Sequence, residues 1–123
     1  MDFVRSRLKS FQYAFEGWYY VLRTQPNAWI HAVFSLLVVA LAFLLRLPPR
    51  DWAVLILTIL VVWMAEFINT ALEAVVDMAM PELHPLAKAA KDAAAAAVLL
   101  GAIAAVLIGL LILGPPLWAW LAP

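Results

Sequence analysis

The sequence contains no cysteine, which excludes disulfide bonds, thiolate metal sites and thiol nucleophiles. Charged residues are scarce as well, since they make up 13% of the 123 residues, against about 25% in an ordinary soluble domain. Hydrophobic residues make up 67%, and a soluble fold of this size would have too few polar side chains to cover its surface. The natural solvent for much of the chain is therefore lipid, and the sequence predicts an all-α membrane protein.

Other absences limit the possible partners. The formal net charge is zero, so no overall basic field favours a nucleic-acid partner. The four glycines form no phosphate-binding loop and no GxxxxGK[ST] motif occurs, so any phosphoryl transfer must use a different site. The N-terminus has no uninterrupted apolar core followed by a small-residue cleavage site, so we expect it to remain on the mature protein.

Residues 2–24 show the pattern of an amphipathic helix. Apolar side chains recur at steps of three and four, with basic and polar residues between them. The apolar positions are Val4, Leu8, Phe11, Phe15, Trp18 and Leu22. Such a helix typically lies in the membrane interface. The alternative is a helix that faces water and packs on a partner.

Three apolar segments follow, at about 28–47, 52–76 and 93–113, and each is long enough for the roughly 20 residues of a membrane span. Prolines separate the first two spans, and Gly114, Pro115 and Pro116 are expected to stop the third. We interpret residues 1–123 as a single membrane domain. Three short spans cannot wall off a site from lipid, and Gly101, Ala105 and Gly109 form a small-xxx-small pattern. An oligomer is therefore expected.

Lysine and arginine positions predict the orientation of the spans. Six of these residues precede span one or lie between spans two and three, whereas two lie between spans one and two. The six are Arg5, Arg7, Lys9, Arg23, Lys88 and Lys91. Because basic loops stay inside, the N-terminus and the 77–92 loop should be cytoplasmic and the C-terminus outside.

One face of the second span is polar. Glu66, Asn69, Glu73 and Asp77 are spaced three, four and four residues apart, which places them on one helical stripe. A carboxylate at the centre of a span costs about 2.5–3.5 kcal/mol, so such residues usually have a function. The alternative is that these residues pack helices together through hydrogen bonds. For Asn69 alone, a packing role and a functional role are equally good interpretations.

The residue types around this stripe suit a nucleotide and a metal. Hard oxygen ligands such as Glu73 suit Mg²⁺, and Lys91 beside Asp92 could bind a polyphosphate. The two histidines, His31 and His84, are too far apart to indicate a metal pair, and we interpret a lone histidine as a surface or packing residue. A proton conduit would need ionisable groups through the whole membrane depth, and the third span offers none after Asp92.

Three segments carry a family resemblance: FQYAFEGWYYVLRT, EFINTALEAVVD and HPLAKAAKDAAAAAVL. Together they closely resemble the prokaryotic diacylglycerol kinase and undecaprenol kinase family of small membrane lipid kinases. The resemblance implies a homotrimer in the bacterial cytoplasmic membrane that transfers the γ-phosphate of MgATP to the hydroxyl of a lipid alcohol. The HPLAKAAKD segment slightly favours undecaprenol over diacylglycerol.

The resemblance also implies residue roles. Glu66 aligns with the catalytic base, Glu73 with a carboxylate that binds the Mg²⁺ of MgATP, and Asn69 and Asp77 with positions that shape the site. The implied nucleotide contacts are Tyr13, Gln25, Glu73, Glu82, His84, Lys91 and Asp92.

Position 25 departs from the family pattern. The family usually has a second metal-binding glutamate there, and this chain has Gln25. An amide oxygen can still bind Mg²⁺ but brings no charge. Three explanations stay open: the metal affinity is lower, a neighbouring acid such as Glu16 or Asp77 compensates, or the enzyme is altered or weakened. The competing hypothesis for the whole chain is a non-catalytic membrane subunit whose acidic stripe packs helices or binds protons.

Overall fold

The computed structural model describes residues 2–82 and 84–122, which form four helices. They are α1 (Asp2–Thr24), α2 (Pro26–Leu44), α3 (Pro49–Ala79) and α4 (Pro85–Leu121). No strand occurs in the described part of the chain, so the predicted all-α class is confirmed. Helices α2, α3 and α4 are long and apolar enough to cross a membrane. Positions 1, 83 and 123 of the predicted domain lie outside the described residues.

The first two helices are joined by a single residue, Gln25. Its backbone is extended, with φ −112° and ψ 107°. Helix α2 then begins at Pro26, where a proline is well accommodated because the first helical N–H has no intrahelical acceptor. Across this joint, Nε1 of Trp29 donates a hydrogen bond to the backbone oxygen of Leu22 at 2.8 Å. The joint between α1 and α2 is therefore short and held at a fixed geometry.

The apolar face of α1 is exposed over most of the helix. Phe3, Phe11 and Phe15 each expose about two thirds or more of their surface (74%, 66% and 72%). Packing against the other helices begins only near Trp18 and Val21. An amphipathic helix with an uncovered apolar face is what lipid contact requires.

The turn between α2 and α3 contains a residue with a left-handed backbone conformation, directly after the end of α2. Arg46 has a φ of 51°, its N–H donates to the Phe43 oxygen at 3.1 Å, and the N–H of Leu47 donates to the Ala42 oxygen at 3.1 Å. These two bonds define a Schellman motif, in which glycine is the usual left-handed residue. Arginine at this position carries a backbone strain that glycine would not.

Helix α4 does not stop where the sequence analysis expected. It continues through Pro115 and Pro116 to Leu121, so the predicted stop at Gly114 is wrong. Each proline removes one helical hydrogen bond, but apolar surroundings and packing tolerate such losses in membrane helices. Here Leu113, two residues before Pro115, is buried against α2 and α3.

One buried cluster lies near the start of α3 and a second lies at its middle. The apolar cluster consists of Ala42, Leu47, Leu55 and Leu113. The second cluster contains Val21, Ala28 and Trp63, with Phe67 packed against it. Helices α3 and α4 pack closely at Gly101 of α4. A Cβ atom at this position would lie 3.8 Å from Cγ2 of Val62 of α3, which is ordinary van der Waals contact. The polar stripe of α3 begins beside the second cluster.

Candidate functional site

Glu66 is the most buried charged side chain in the described residues. It lies on α3 with 1% of its surface exposed, and neither carboxylate oxygen has a hydrogen-bond partner in the described part of the chain. Its nearest basic group is His31 of α2, whose Nε2 lies 3.8 Å from Oε2 of Glu66. A buried carboxylate without partners is costly to keep, so this position is built for something other than stability.

The α2–α3 contact beside Glu66 is held by a short hydrogen-bond chain. Nε1 of Trp63 donates to Oγ of Ser35 at 3.2 Å, and Oγ of Ser35 donates to the backbone oxygen of His31 at 2.7 Å. Trp63 lies one turn before Glu66 on α3, and Ser35 one turn after His31 on α2. The chain therefore fixes the register that brings His31 and Glu66 together.

Aromatic side chains connect α1 to this part of α3. The ring centroid of Trp18 lies 4.6 Å from that of Trp63 and 4.7 Å from that of Phe67. Both partners flank Glu66 in the sequence. Helix α1 thus anchors its C-terminal half directly on the segment that carries the buried carboxylate.

Two turns further along α3, Glu73 meets the joint between α1 and α2. Nε2 of Gln25 donates a hydrogen bond to Oε2 of Glu73 at 2.9 Å. The two residues that the resemblance places around a metal are therefore in direct contact, 48 residues apart in sequence. An amide beside a carboxylate forms a hydrogen bond, whereas two carboxylates at the same place would repel each other.

The charged residues at the end of the stripe are paired. Nζ of Lys91 lies 2.8 Å from Oδ1 of Asp77, which joins α4 to α3. Lys88 pairs with Asp92 one turn along α4. Of the acids considered as substitutes for a glutamate at position 25, Asp77 is thus engaged by Lys91. The other, Glu16, accepts a hydrogen bond from Gln12 at 2.9 Å on the exposed side of α1.

Asn69 borders a cavity of about 340 Å³ between α3 and α4, lined almost entirely by apolar groups such as Met64, Ile68 and Ala97. The side chain is 6% exposed, and its Oδ1 has no hydrogen-bond partner within the described residues. Glu66 and Asn69 are therefore both buried and both retain unused acceptor atoms.

The remaining predicted nucleotide contacts are exposed. Tyr13 lies on α1 with 63% of its surface exposed, and Glu82 and His84 lie in the exposed α3–α4 loop. Nδ1 of His84 accepts a hydrogen bond from the backbone N–H of Leu86 at 3.2 Å, which caps the start of α4. His84 therefore has a structural contact in addition to the role that the resemblance implies.

Comparison with known proteins agrees with this architecture. The family model described as prokaryotic diacylglycerol kinase matches residues 12–113. The chain belongs to this family. It is 42% identical over 109 residues to the undecaprenol kinase of Bacillus subtilis, covering 89% of each chain. It is 35% identical over 107 residues to the diacylglycerol kinase of Helicobacter pylori, covering 81% of this chain and 84% of that protein.

A further relative is the diacylglycerol kinase of Synechocystis sp., which is 50% identical over 111 residues. That match covers 89% of this chain but 63% of the Synechocystis protein, so the chain spans less than two thirds of that relative. The family and these relatives indicate a lipid kinase. Together with the three apolar helices, they indicate a multi-pass membrane protein.

The resemblance implies that a Mg²⁺ ion binds together with ATP. The side chains of the Gln25–Glu73 contact are of the kind that such an ion would need. Mg²⁺ usually takes one or two protein oxygens and completes its shell with phosphates and water. Glu73 supplies a carboxylate, and Gln25 supplies an amide oxygen once its side-chain amide rotates. The described residues contain no cluster of three His, Asp or Glu side chains that could hold a metal without such help. The pair fits a metal brought by a nucleotide.

Sequence reasoning missed His31, which it interpreted as a surface or packing residue. The structure places the imidazole against Glu66. A signal was present, because an ionisable residue within a membrane span is a candidate functional residue by default. The sequence could not supply its partner, because the pairing depends on how α2 crosses α3.

Proposed function

We propose that the protein is an ATP-dependent kinase that transfers the γ-phosphate of MgATP to the hydroxyl of a membrane lipid alcohol, with Glu66 as the catalytic base. The single observation that carries this proposal is the buried Glu66 carboxylate, which has two unused acceptor oxygens and stands on the same stripe as the Gln25–Glu73 contact. A lipid hydroxyl at that depth would find a proton acceptor and, toward the end of α3, a place for a phosphate donor.

The chemistry asks little covalent work of the protein. Glu66 accepts the proton of the hydroxyl as its oxygen bonds to the γ-phosphorus, while the bond from that phosphorus to ADP breaks with its electron pair on ADP. Glu73, with the amide oxygen of Gln25, would hold Mg²⁺. When bound, Mg²⁺ neutralises charge on the transferring phosphates. Asn69 and Asp77 shape the site between the two ends.

The nucleotide would lie across the start of α4 and the face of α1. The residues we assign to it, besides Gln25 and Glu73, are Tyr13, Glu82, His84, Lys91 and Asp92. Lys91 and Asp92 are each in an exposed ion pair. Such pairs are weak, so a triphosphate can displace Asp77 from Lys91 at a small cost in free energy.

The acceptor is proposed to be undecaprenol in preference to diacylglycerol. The HPLAKAAKD segment supports this choice, and the Bacillus subtilis relative is named an undecaprenol kinase. The Synechocystis and Helicobacter relatives are named diacylglycerol kinases, so diacylglycerol is the second candidate.

We also propose a homotrimer in the bacterial cytoplasmic membrane, with the N-terminus and the site facing the cytoplasm and the C-terminus outside. The exposed apolar surface of all four helices supports assembly or lipid contact. The basic residues of α1 and of the start of α4 support the orientation. The competing function, a non-catalytic subunit that packs helices or binds protons through the stripe, predicts no transfer of phosphate.

The test is phosphate transfer by the purified protein in lipid bilayers, with labelled ATP, Mg²⁺ and either undecaprenol or diacylglycerol. Glu66→Gln keeps the size of the side chain but removes the base, so we expect the rate at which labelled lipid forms to fall by about 10²–10⁴-fold. Asp51→Asn is the matched control, since it neutralises an acid in the first turn of the same helix. Full activity of Glu66→Gln would disprove the assignment of the base, and no transfer by the unmodified protein would favour the non-catalytic subunit.

A further inference from the structure

Because Glu66 is buried, the proton that it accepts needs a route away from the side chain. The side chain is 1% exposed, and the described residues offer no hydrogen-bond partner to either oxygen. A carboxyl group that has taken a proton from the acceptor must lose it again before the next turnover. Among the described residues, no side chain hydrogen-bonded to Glu66 is placed to remove it directly.

His31 is the group that can do so. Its Nε2 lies 3.8 Å from Oε2 of Glu66 and, like the carboxylate, lacks a hydrogen-bond partner among the described residues. No other basic side chain in the described ranges forms an ion pair with Glu66. The His31 side chain is 13% exposed against 1% for Glu66, so it is the more accessible of the two groups. Catalytic contacts that are long in a free enzyme commonly shorten when substrates bind.

We infer that His31 receives the proton of Glu66 after each transfer. This rests on the proposed function, because it takes Glu66 as the base. The O–H proton passes from Glu66 to Nε2 of the neutral imidazole, which leaves a carboxylate and an imidazolium. The imidazolium then gives the proton to water or a buffer base at its exposed edge, and both residues return to their starting states.

The surroundings of His31 favour this assignment over simple packing. The backbone oxygen of His31 accepts from Ser35, and Ser35 accepts from Trp63, so the histidine backbone is held while its imidazole stays unbonded. The ring also lies 6.4 Å from the ring of Trp63, measured between centroids. A histidine that served packing alone would be expected to satisfy its ring nitrogen.

The experiment compares the first turnover with later ones, because only later ones need the proton to leave. The reconstituted full chain is mixed with a limiting amount of labelled ATP for a single turnover, and with excess ATP for the steady state. For His31→Gln we expect the single-turnover rate to stay within about 2-fold of the unmodified protein while the steady-state rate falls by about 10-fold or more. Imidazole added to His31→Ala should restore part of the steady-state rate.

Ser35→Ala is the matched control, because it disturbs the same α2–α3 contact without removing a proton acceptor. Its two rates should keep the ratio of the unmodified protein. For His31→Gln, unchanged rates in both regimes would overturn the inference. So would an equal fall in both regimes without rescue by imidazole, which would make His31 a purely structural residue. Single-turnover transfer by Glu66→Gln reports on the proposed function separately, since that variant lacks the base whatever His31 does.

Discussion

The two halves of α3 bury different kinds of side chain. In the first half, which we call the apolar end, Leu55 packs with Ala42 and Leu113 in the apolar cluster. In the second half, which we call the polar end, the same helix buries Glu66 and Asn69 with unused acceptor atoms. Packing of apolar groups stabilises the first half, whereas the second carries desolvated polar groups that oppose stability. The comparison indicates that apolar packing in the first half offsets the cost of burying polar groups in the second.

The largest effect on stability is expected from breaking the apolar end. Leu55→Ala leaves a cavity in the apolar cluster, and we expect the free energy of unfolding to fall by about 2 kcal/mol or more. The lower part of the usual range applies because lipid, unlike water, gives helices no strong hydrophobic reason to associate. Unfolding in mixed detergent micelles, followed by circular dichroism, measures the change.

The matched variant at the polar end is Glu66→Gln, which removes a buried charge and should not lower stability. Phosphate transfer per folded molecule should be retained in Leu55→Ala and lost in Glu66→Gln. If Leu55→Ala lost transfer while its helices stayed folded, the separation between the two ends would be wrong.

A second prediction concerns the contact between Gln25 and Glu73 at the polar end of α3. Gln25→Glu places a second carboxylate beside Glu73, so we expect half-maximal activity at a Mg²⁺ concentration lower by about 10-fold, equivalent to about 1.4 kcal/mol. With EDTA present, the same pair should repel and lower the melting temperature. Ser10→Glu adds the same charge at an exposed position of α1 that is not next to another acid, and serves as the control. A Mg²⁺ requirement equal to that of the unmodified protein would place position 25 outside the metal shell.

The smallest effect is expected at the turn beside the apolar cluster. Arg46→Gly relieves the left-handed strain, and we expect stability to rise by about 1 kcal/mol. Arg50→Gly removes the same charge inside the first turn of α3 and should be destabilising by a similar amount, because glycine is a poor helix former. A loss of stability in Arg46→Gly would show that the arginine side chain makes a contact worth more than the strain.

Periodicity and hydropathy predicted four helices and the polar stripe, but not the extent of the last helix, which runs from Pro85 to Leu121 rather than over 93–113. The placement of Glu66, Asn69, Glu73 and Asp77 on one stripe follows from helical geometry alone. The resemblance groups Gln25 with Glu73, and the structure places the two side chains in contact. Both predictions rest on information that is local or that relatives share. The roles of the site residues stay predictions.

Two features depended on packing between helices and could not be read from the chain. The pairing of His31 with Glu66 depends on the crossing of α2 over α3, held by the Trp63–Ser35 hydrogen bond. Helix α4 also continues through Pro115 and Pro116, just beyond Leu113, which is buried against the neighbouring helices. Local rules for proline describe the isolated segment, whereas the neighbours decide the outcome.

The single-residue link at Gln25 couples the surface helix to the rest of the molecule without slack. If α1 shifts its depth or tilt among the headgroups, the displacement reaches Glu73 through the Gln25 hydrogen bond and reaches the Trp63 segment through Trp18. If α1 lies in the membrane interface, headgroup charge, lateral pressure and bilayer thickness would thereby act on the proposed site. Assays in vesicles of different composition would register them as changes in turnover even with the same acceptor.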